Sequence, residues 1–427
     1  MAEGKNLGIL VGGGPAPGIN SVIAAATIGS ILDGVPVLGI RDGFEHIMQG
    51  DINCALPLTL DAVRRLHLRG GSHVGTARAN PTRNPEHLEK CVTSLERLNV
   101  SRLITIGGDD TAFTALKLAE KSAGRIRVVH VPKTIDNDLG LPAHIDTFGF
   151  QTARHIGAQL VTNLMVDAST TSRWYIVIAM GRKAGHLALG MGKAAGATLT
   201  LIGEEFGESP VRFATIVDTL VGAIIKRQAE GRRHGVAVVA EGLVLDMDPQ
   251  DLAGIENVER DAHGNIRLAE INIGDMLKHG VTSRLNGLGI KTSVVAKDIG
   301  YELRCADPIP YDVEYTRDLG YCAAKYLLED GNAAMISIQA GQFVPIPFAQ
   351  LLDPATGRAK VRLVDVHSLR YAIARRYMIR LCRNDFANPV ALGQLAAVAG
   401  ISVDEFRRQF EYVAQWEPSP PVLAAVR

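Results

Sequence analysis

"IRVVHVPKTIDND", residues 126–138, decides how this chain is read. Its first half is a mainly apolar run of strand length. Its second half sets Lys133, Asp136 and Asp138 where that strand should end. Apolar runs without alternation fit strands covered on both faces, as in parallel sheets. A polar turn would explain the Asp and Asn residues. A ligand site would explain them too, because ligands of open α/β sheets lie beyond the carboxyl ends of the strands.

Working outward, the same pattern recurs. "NLGILV", "VPVLGI", "RLITIG", "WYIVIAM", "ATLTLIG", "GVAVVAE", "KTSVVAK" and "AAMISIQ" read as further strands, with helical stretches between them at 111–123, 148–168 and 211–230. Alternating strands and helices predict an α/β fold with mainly parallel sheets and right-handed crossovers. Residues 244–290 interrupt the rhythm as a polar, Asp-rich excursion, in which "RDAHGNIRL" reads as a hairpin turn. After residue 360 the chain is mostly helical. There "LGQLAAVAGISVDEFRRQF" has a helix–turn–helix look around Gly400, but a packed helical tail is expected.

With 427 residues, the chain has room for two or three domains or one large two-lobed one. Lys plus Arg and Asp plus Glu both total 45, and this neutrality argues against broad nucleic-acid or anionic-membrane binding. The five cysteines are scattered with no CxxC pair, so no zinc site or disulfide framework is signalled. The start lacks a signal-peptide layout and no apolar run approaches a membrane span, so a cytoplasmic protein is expected.

Five polar clusters follow predicted strands: "GGGPAPGIN" from residue 12, "GGDDT" from 107, "KTIDND" from 133, "MGRKAG" from 180 and "EG" from 241. Any one could be a turn. Together they suit one site at strand ends. Gly12–Gly14 with Gly18 make a glycine-rich strand-to-helix turn, which lets backbone N–H groups approach phosphate oxygens. A dinucleotide loop begins the same way, but Gly18 falls one residue late for it. Asp109 and Asp110 open a helix. One is explained as an N-cap, and two beside a phosphate loop suit Mg²⁺, which prefers oxygen ligands and substrate phosphates. Lys133 and Arg182 could neutralise a transferring phosphoryl group, and Asp136 could accept a proton from an attacking hydroxyl. Phosphoryl transfer is favoured over hydride transfer.

Taken with "AEG" at 240–242 and "GYELRCADPIPYD" at 300–312, these clusters resemble the phosphofructokinase family over residues 12–312. The resemblance implies two Rossmann-like lobes with the active site in a cleft, followed by a helical C-terminal extension. The expected divisions are a phosphoryl-donor lobe at 1–170, a sugar-phosphate lobe at 171–360, and the extension at 361–427. It implies phosphorylation of the 1-hydroxyl of fructose 6-phosphate with Mg²⁺, in a homodimer or homotetramer. Asp136 then matches the catalytic base and Asp109 the Mg²⁺-associated acid. Gly13 and Gly14 match the loop at the phosphoryl donor. Thr134, Ile135 and Asp136, with Met180, Gly181, Arg182 and Glu241, match positions that hold the sugar phosphate. Tyr301 and Arg304 match a pair that binds its 6-phosphate, and Arg173 an arginine that reaches the neighbouring subunit's site.

Relatives that use ATP typically carry glycine where this chain has Asp110 and Lys133, and often aspartate where it has Pro15. The Asp110–Lys133 combination resembles the pyrophosphate-dependent branch. A carboxylate at Asp110 would face the α-phosphate of a nucleotide. Like charges about 4 Å apart repel by roughly 4 kcal/mol at an effective dielectric near 20. Pyrophosphate has no α-phosphate. An ATP-dependent enzyme, a nicotinamide dehydrogenase and a non-catalytic sugar-phosphate sensor are the competing readings. The sensor is disfavoured because a pure binder needs no base.

Overall fold

A computed structural model describes residues 5–142, 144–207, 210–253, 271–350 and 360–416. The chain divides into two units, Met1–Ala153 with Tyr301–Arg362, and Arg154–Gly300 with Leu363–Arg427. Both are discontinuous in sequence, whereas the sequence reading drew contiguous divisions at 170 and 360. The first boundary falls inside the helix Phe150–Thr171.

In the first unit the strands are β1 (Asn6–Val11), β2 (Val37–Ile40), β3 (Ala55–Leu58), β4 (Val100–Gly107) and β5 (Arg127–Pro132). The seven-stranded sheet has the order β3-β2-β1-β4-β5, continued by Ala334–Met335 and Ile346–Pro347. The central strands are parallel, and β3 and Ile346–Pro347 run antiparallel at the two edges. β3 was not anticipated. It is four residues long and contains Pro57, which suits an edge strand and hides it from pattern reading. "AAMISIQ" likewise forms two separate short strands, Ala334–Met335 and Ile338–Gln339.

Successive residues of β1 point to opposite faces. Ile9 and Val11 pack with Ile19, Val22 and Ile23 of the helix Ile19–Leu32 and with Leu319, Ala323 and Leu327 of the helix Pro310–Leu328. Leu10 packs on the other side with residues of the helices Pro85–Arg97 and Asp109–Ser122. Both faces are therefore covered, which explains the unbroken apolar runs. Chain order reverses direction between β1 and β4, so the loops after these two strands flank the topological switch point.

In the second unit β6 (Arg173–Ala179), β7 (Leu199–Leu201), β8 (Gly235–Ala240) and β9 (Ser293–Ile299) form a wholly parallel sheet of order β7-β8-β6-β9. Trp174, Ile176 and Ile178 pack with Leu220 and Ile224 of the helix Phe213–Ala229 and with Leu277 and Val281 of the helix Ile273–Gly287. That last helix falls towards the end of the expected excursion, and its polar face conceals its core-facing residues. The anticipated hairpin "RDAHGNIRL" lies outside the described residues.

The C-terminal stretch is helical, with Leu369–Tyr377, Arg383–Ala387, Pro389–Ala399 and Val403–Phe410. Leu392, Leu395, Phe406 and Phe410 join the core of the second unit, and Lys226 Nζ meets Asp385 Oδ2 at 2.7 Å. The turn between the last two helices is Gly400, at φ 66°. Its flanking helices spend their apolar faces on this core, as a packed tail should. Among the described residues no helix is long and apolar enough to cross a membrane.

Candidate active site

The glycine loop after β1 is held on both sides. Gly12 N–H donates to Ile106 O at 2.8 Å, Gly13 N–H donates to Ala77 O at 2.8 Å, and the Thr76 hydroxyl donates to Gly13 O at 2.7 Å. A Cβ on Gly12 would stand 2.4 Å from Thr111 Oγ1, and one on Gly14 would stand 2.1 Å from Arg304 Nη2. At Gly12 only glycine lets the loop approach the first turn of the helix Asp109–Ser122 so closely, whereas the neighbour at Gly14 is the far end of the long Arg304 side chain. In that turn Asp109 is half-buried and Asp110 exposed.

Lys133 is 5% exposed, and its ammonium donates to Gly14 O. Its backbone N–H donates to Gly107 O at 2.8 Å, continuing the β4–β5 pairing past the end of β5. Burial, reinforced by the Arg304 and Arg78 cations, lowers its pKa to about 8, against the opposing pull of Asp136 and Asp138. At pH 7 the ammonium form therefore predominates by about ten to one. Beneath it His130 is fully buried between Thr105 Oγ1 at 2.8 Å and Gly107 O at 3.0 Å. Burial holds its pKa at about 3, so it is a neutral structural support for the loop.

Thr134, Ile135 and Asp136 follow. The Asp136 N–H donates to Thr134 Oγ1 at 3.0 Å, Ile135 is buried and Asp136 is half-buried. Asn137 adopts φ 58°. Its side chain donates to Asp146 Oδ1 at 2.9 Å and accepts from Thr147 N–H at 2.9 Å. These bonds hold together a loop without regular secondary structure.

In the second unit, Met180 N–H donates to Ile299 O at 3.0 Å. Gly181 N–H donates to Glu241 Oε2 at 3.4 Å, and Gly242 N–H donates to Gly181 O at 3.0 Å. The carboxyl ends of β6 and β8 thus bring Met180, Gly181, Arg182 and Glu241 into one cluster, with Arg182 exposed. Arg173 opens β6 at its other end, roughly 20 Å away at the rise of a strand. It does not join that cluster; its Nε stands 4.0 Å from Asp167 Oδ2.

Tyr301 and Arg304 belong to the first unit, not to the 171–360 lobe expected for them. The Arg304 guanidinium lies over the Tyr301 ring at 5.4 Å, and Tyr301 is 78% exposed. Gly13, Gly14, Asp109, Asp110, Lys133, Thr134, Ile135 and Asp136 are in the same unit.

Among the described residues no group of three or more His, Cys, Asp or Glu side chains could hold a metal. Mg²⁺ commonly takes one or two carboxylates and completes its shell with water and substrate phosphates. Half-buried Asp109 beside the glycine loop suits that donor set.

A profile described as "Phosphofructokinase" matches residues 6–327. The chain belongs to the phosphofructokinase family. It is 51% identical over 420 residues to the "Pyrophosphate--fructose 6-phosphate 1-phosphotransferase" of Thermotoga maritima, covering 97% of this chain and all of that one. It is 50% identical to the protein of that name from Naegleria fowleri, covering 96% of each. The structure of phosphofructokinase from Saccharomyces cerevisiae superposes with a TM-score of 0.66 at 20% identity, over 96% of this chain. This chain spans half the length of that yeast chain.

Thr76–Arg78, which borders the glycine loop, and Arg362, which grips the loop after Lys133, do not stand out in the sequence. "GTAR" at 75–78 offered one local signal, an arginine just after a glycine turn. Arg362 offered none, since its partners lie more than 200 residues away.

Proposed function

We propose that this chain transfers a phosphoryl group from pyrophosphate to the 1-hydroxyl of fructose 6-phosphate, giving fructose 1,6-bisphosphate and phosphate, and does so reversibly. The observation that carries the reading is the buried Lys133 ammonium bonded to the glycine-loop carbonyl, with Asp110 in the first turn of the following helix. A nucleotide α-phosphate would meet the Asp110 charge, whereas pyrophosphate would not. The names of the Thermotoga maritima and Naegleria fowleri relatives support the same donor.

Asp136 accepts the proton of the 1-hydroxyl as that oxygen bonds to phosphorus. The bond from phosphorus to the bridging oxygen breaks, and Lys133 stabilises the charge gathering on the departing phosphate. Gly13 and Gly14 take the pyrophosphate. Thr134, Ile135, Met180, Gly181, Arg182 and Glu241 hold the sugar, and Tyr301 with Arg304 holds its 6-phosphate. Arginine suits that task because its planar fork makes charge-assisted, often bidentate bonds. Asp109 would hold Mg²⁺, which when bound neutralises phosphate charge.

Arg173, remote from the Met180–Arg182 cluster of its own chain, serves the site of a second copy, so the working form is a homodimer or homotetramer. The five cysteines are free thiols, which supports a reducing, cytoplasmic location.

The test is kcat/KM for pyrophosphate and for ATP in wild type, Asp110→Gly and the double variant with Lys133→Gly. Wild type should prefer pyrophosphate, Asp110→Gly should weaken its use, and the double variant should gain measurable ATP turnover. A wild type that prefers ATP, or a donor ratio unmoved by Asp110→Gly, replaces this reading with an ATP-dependent enzyme.

A further inference from the structure

One side chain from the far end of the first unit grips the loop that carries Asp136. Arg362 Nε donates to Asn137 O at 3.1 Å, Nη1 donates to Pro142 O at 3.1 Å and to Ile145 O at 2.6 Å, and Nη2 donates to Asn137 Oδ1. Its backbone N–H donates to Asp138 O at 2.8 Å. Beside it Val361 pairs with Leu139 in an antiparallel bridge. A Cβ on Gly140 would stand 3.0 Å from both Lys360 Cβ and Lys360 O, so residues 360–362 lie along the loop throughout 138–140.

These contacts converge on Asn137, the residue directly after Asp136. Its φ of 58° is left-handed, a region that asparagine enters more readily than other residues with a Cβ, and the loop needs a constraint that holds it there. Arg362 supplies that constraint by binding both the main-chain and the side-chain carbonyl of Asn137. The task needs several donors in a fixed fork. Guanidinium provides five, whereas an ammonium is a point charge whose three donors rotate.

We propose that Arg362 is a positioning residue for Asp136. It makes no contact with substrate in this role. It fixes the backbone from which the carboxylate projects, so its loss is felt as misplacement of the proton acceptor. The inference rests on the reading of Asp136 as that acceptor. Misplacement by about 1 Å can cost on the order of 10²-fold in rate.

The experiment is a double-mutant cycle on the full-length enzyme, with Arg362→Lys and Arg362→Gln each made alone and in the Asp136→Asn background. Arg362→Lys keeps the stem and one cation, and Arg362→Gln serves if the first fails to fold. Steady-state kinetics are run on variants with wild-type near-ultraviolet dichroism. In the otherwise native enzyme kcat should fall about 10- to 100-fold, with both KM values within about threefold. In the Asp136→Asn background the same change should cost less than about threefold, because the group it positions is gone. Equal losses in both backgrounds, or a loss seen mainly in KM, would make Arg362 a general structural residue and overturn the proposal. Near-normal kcat in both Arg362 variants would overturn it as well. Near-normal kcat in Asp136→Asn alone would instead overturn the reading of Asp136 on which the proposal rests.

Discussion

Replacing Lys133 with methionine should stabilise the protein while disabling it. Folding lowers the pKa of this lysine from 10.5 to about 8, chiefly by burial. One pKa unit is 1.36 kcal/mol, so carrying the ammonium into the fold costs about 3 kcal/mol at neutral pH. The unfolded chain binds the proton more tightly between pH 8 and 10.5. Wild-type stability therefore gains from this group as pH rises across that window, and the cost is fully present below it. Methionine fills a similar volume without the charge but gives up the charged bond to Gly14 O, at about 2 kcal/mol. The variant should be more stable than wild type by about 1 kcal/mol at pH 7, with the difference shrinking and then reversing as pH approaches 10.5. Urea unfolding of both proteins at pH 7, 8.5 and 10 measures it, and subtraction removes the other groups that titrate there. Turnover with pyrophosphate should fall strongly at the same time. A variant less stable than wild type at pH 7, or a difference that ignores pH, would refute the reasoning.

Arg304→Ala should raise KM for fructose 6-phosphate by about 10- to 100-fold, from the loss of a charged partner at about 1.5–3 kcal/mol, and KM for pyrophosphate far less. Because Arg304 also lowers the Lys133 pKa, the alkaline limb of pyrophosphate use should move to higher pH in this variant; a limb that stays in place would sever the two groups. Arg380→Met should cost about 3–5 kcal/mol in urea unfolding, because it strands Glu205. Their side chains are 2% and 1% exposed, the pair meets at 2.7 Å, and Tyr371 also donates to Glu205. A loss below about 1 kcal/mol would mean that the pair is not buried in solution.

Parallel strands such as β1, β6 and β8 were legible because they are covered on both faces and so read as apolar runs, as in Val236–Ala240. β3 escaped because an edge strand tolerates Pro57 and needs little apolar character. The unit boundaries escaped because contacts, not sequence proximity, define them: Tyr301–Arg362 returns to the first unit after the whole of β6 to β9. The candidate site residues stood out where charge interrupts an apolar pattern, as at Lys133 and Asp109. Arg173 was legible as a residue type, and the structure adds that it stands at the other end of β6 from Met180. Arg362 sits in a stretch with no periodicity, and only the fold reveals what it holds.

The return of Ala334–Met335 to the flank of β5 also sets a timetable for synthesis. Ala334 pairs with Val129 and Met335 with His130, so β5 waits for some 200 residues of chain before its outer edge is covered. At roughly 5–20 residues per second, the ribosome needs about 10–40 s to supply them. Throughout that interval "RVVHVP" is an open, apolar edge of the kind that recruits other chains. The strand whose end carries the proposed chemistry is thus also the one most in need of protection while the protein is being made.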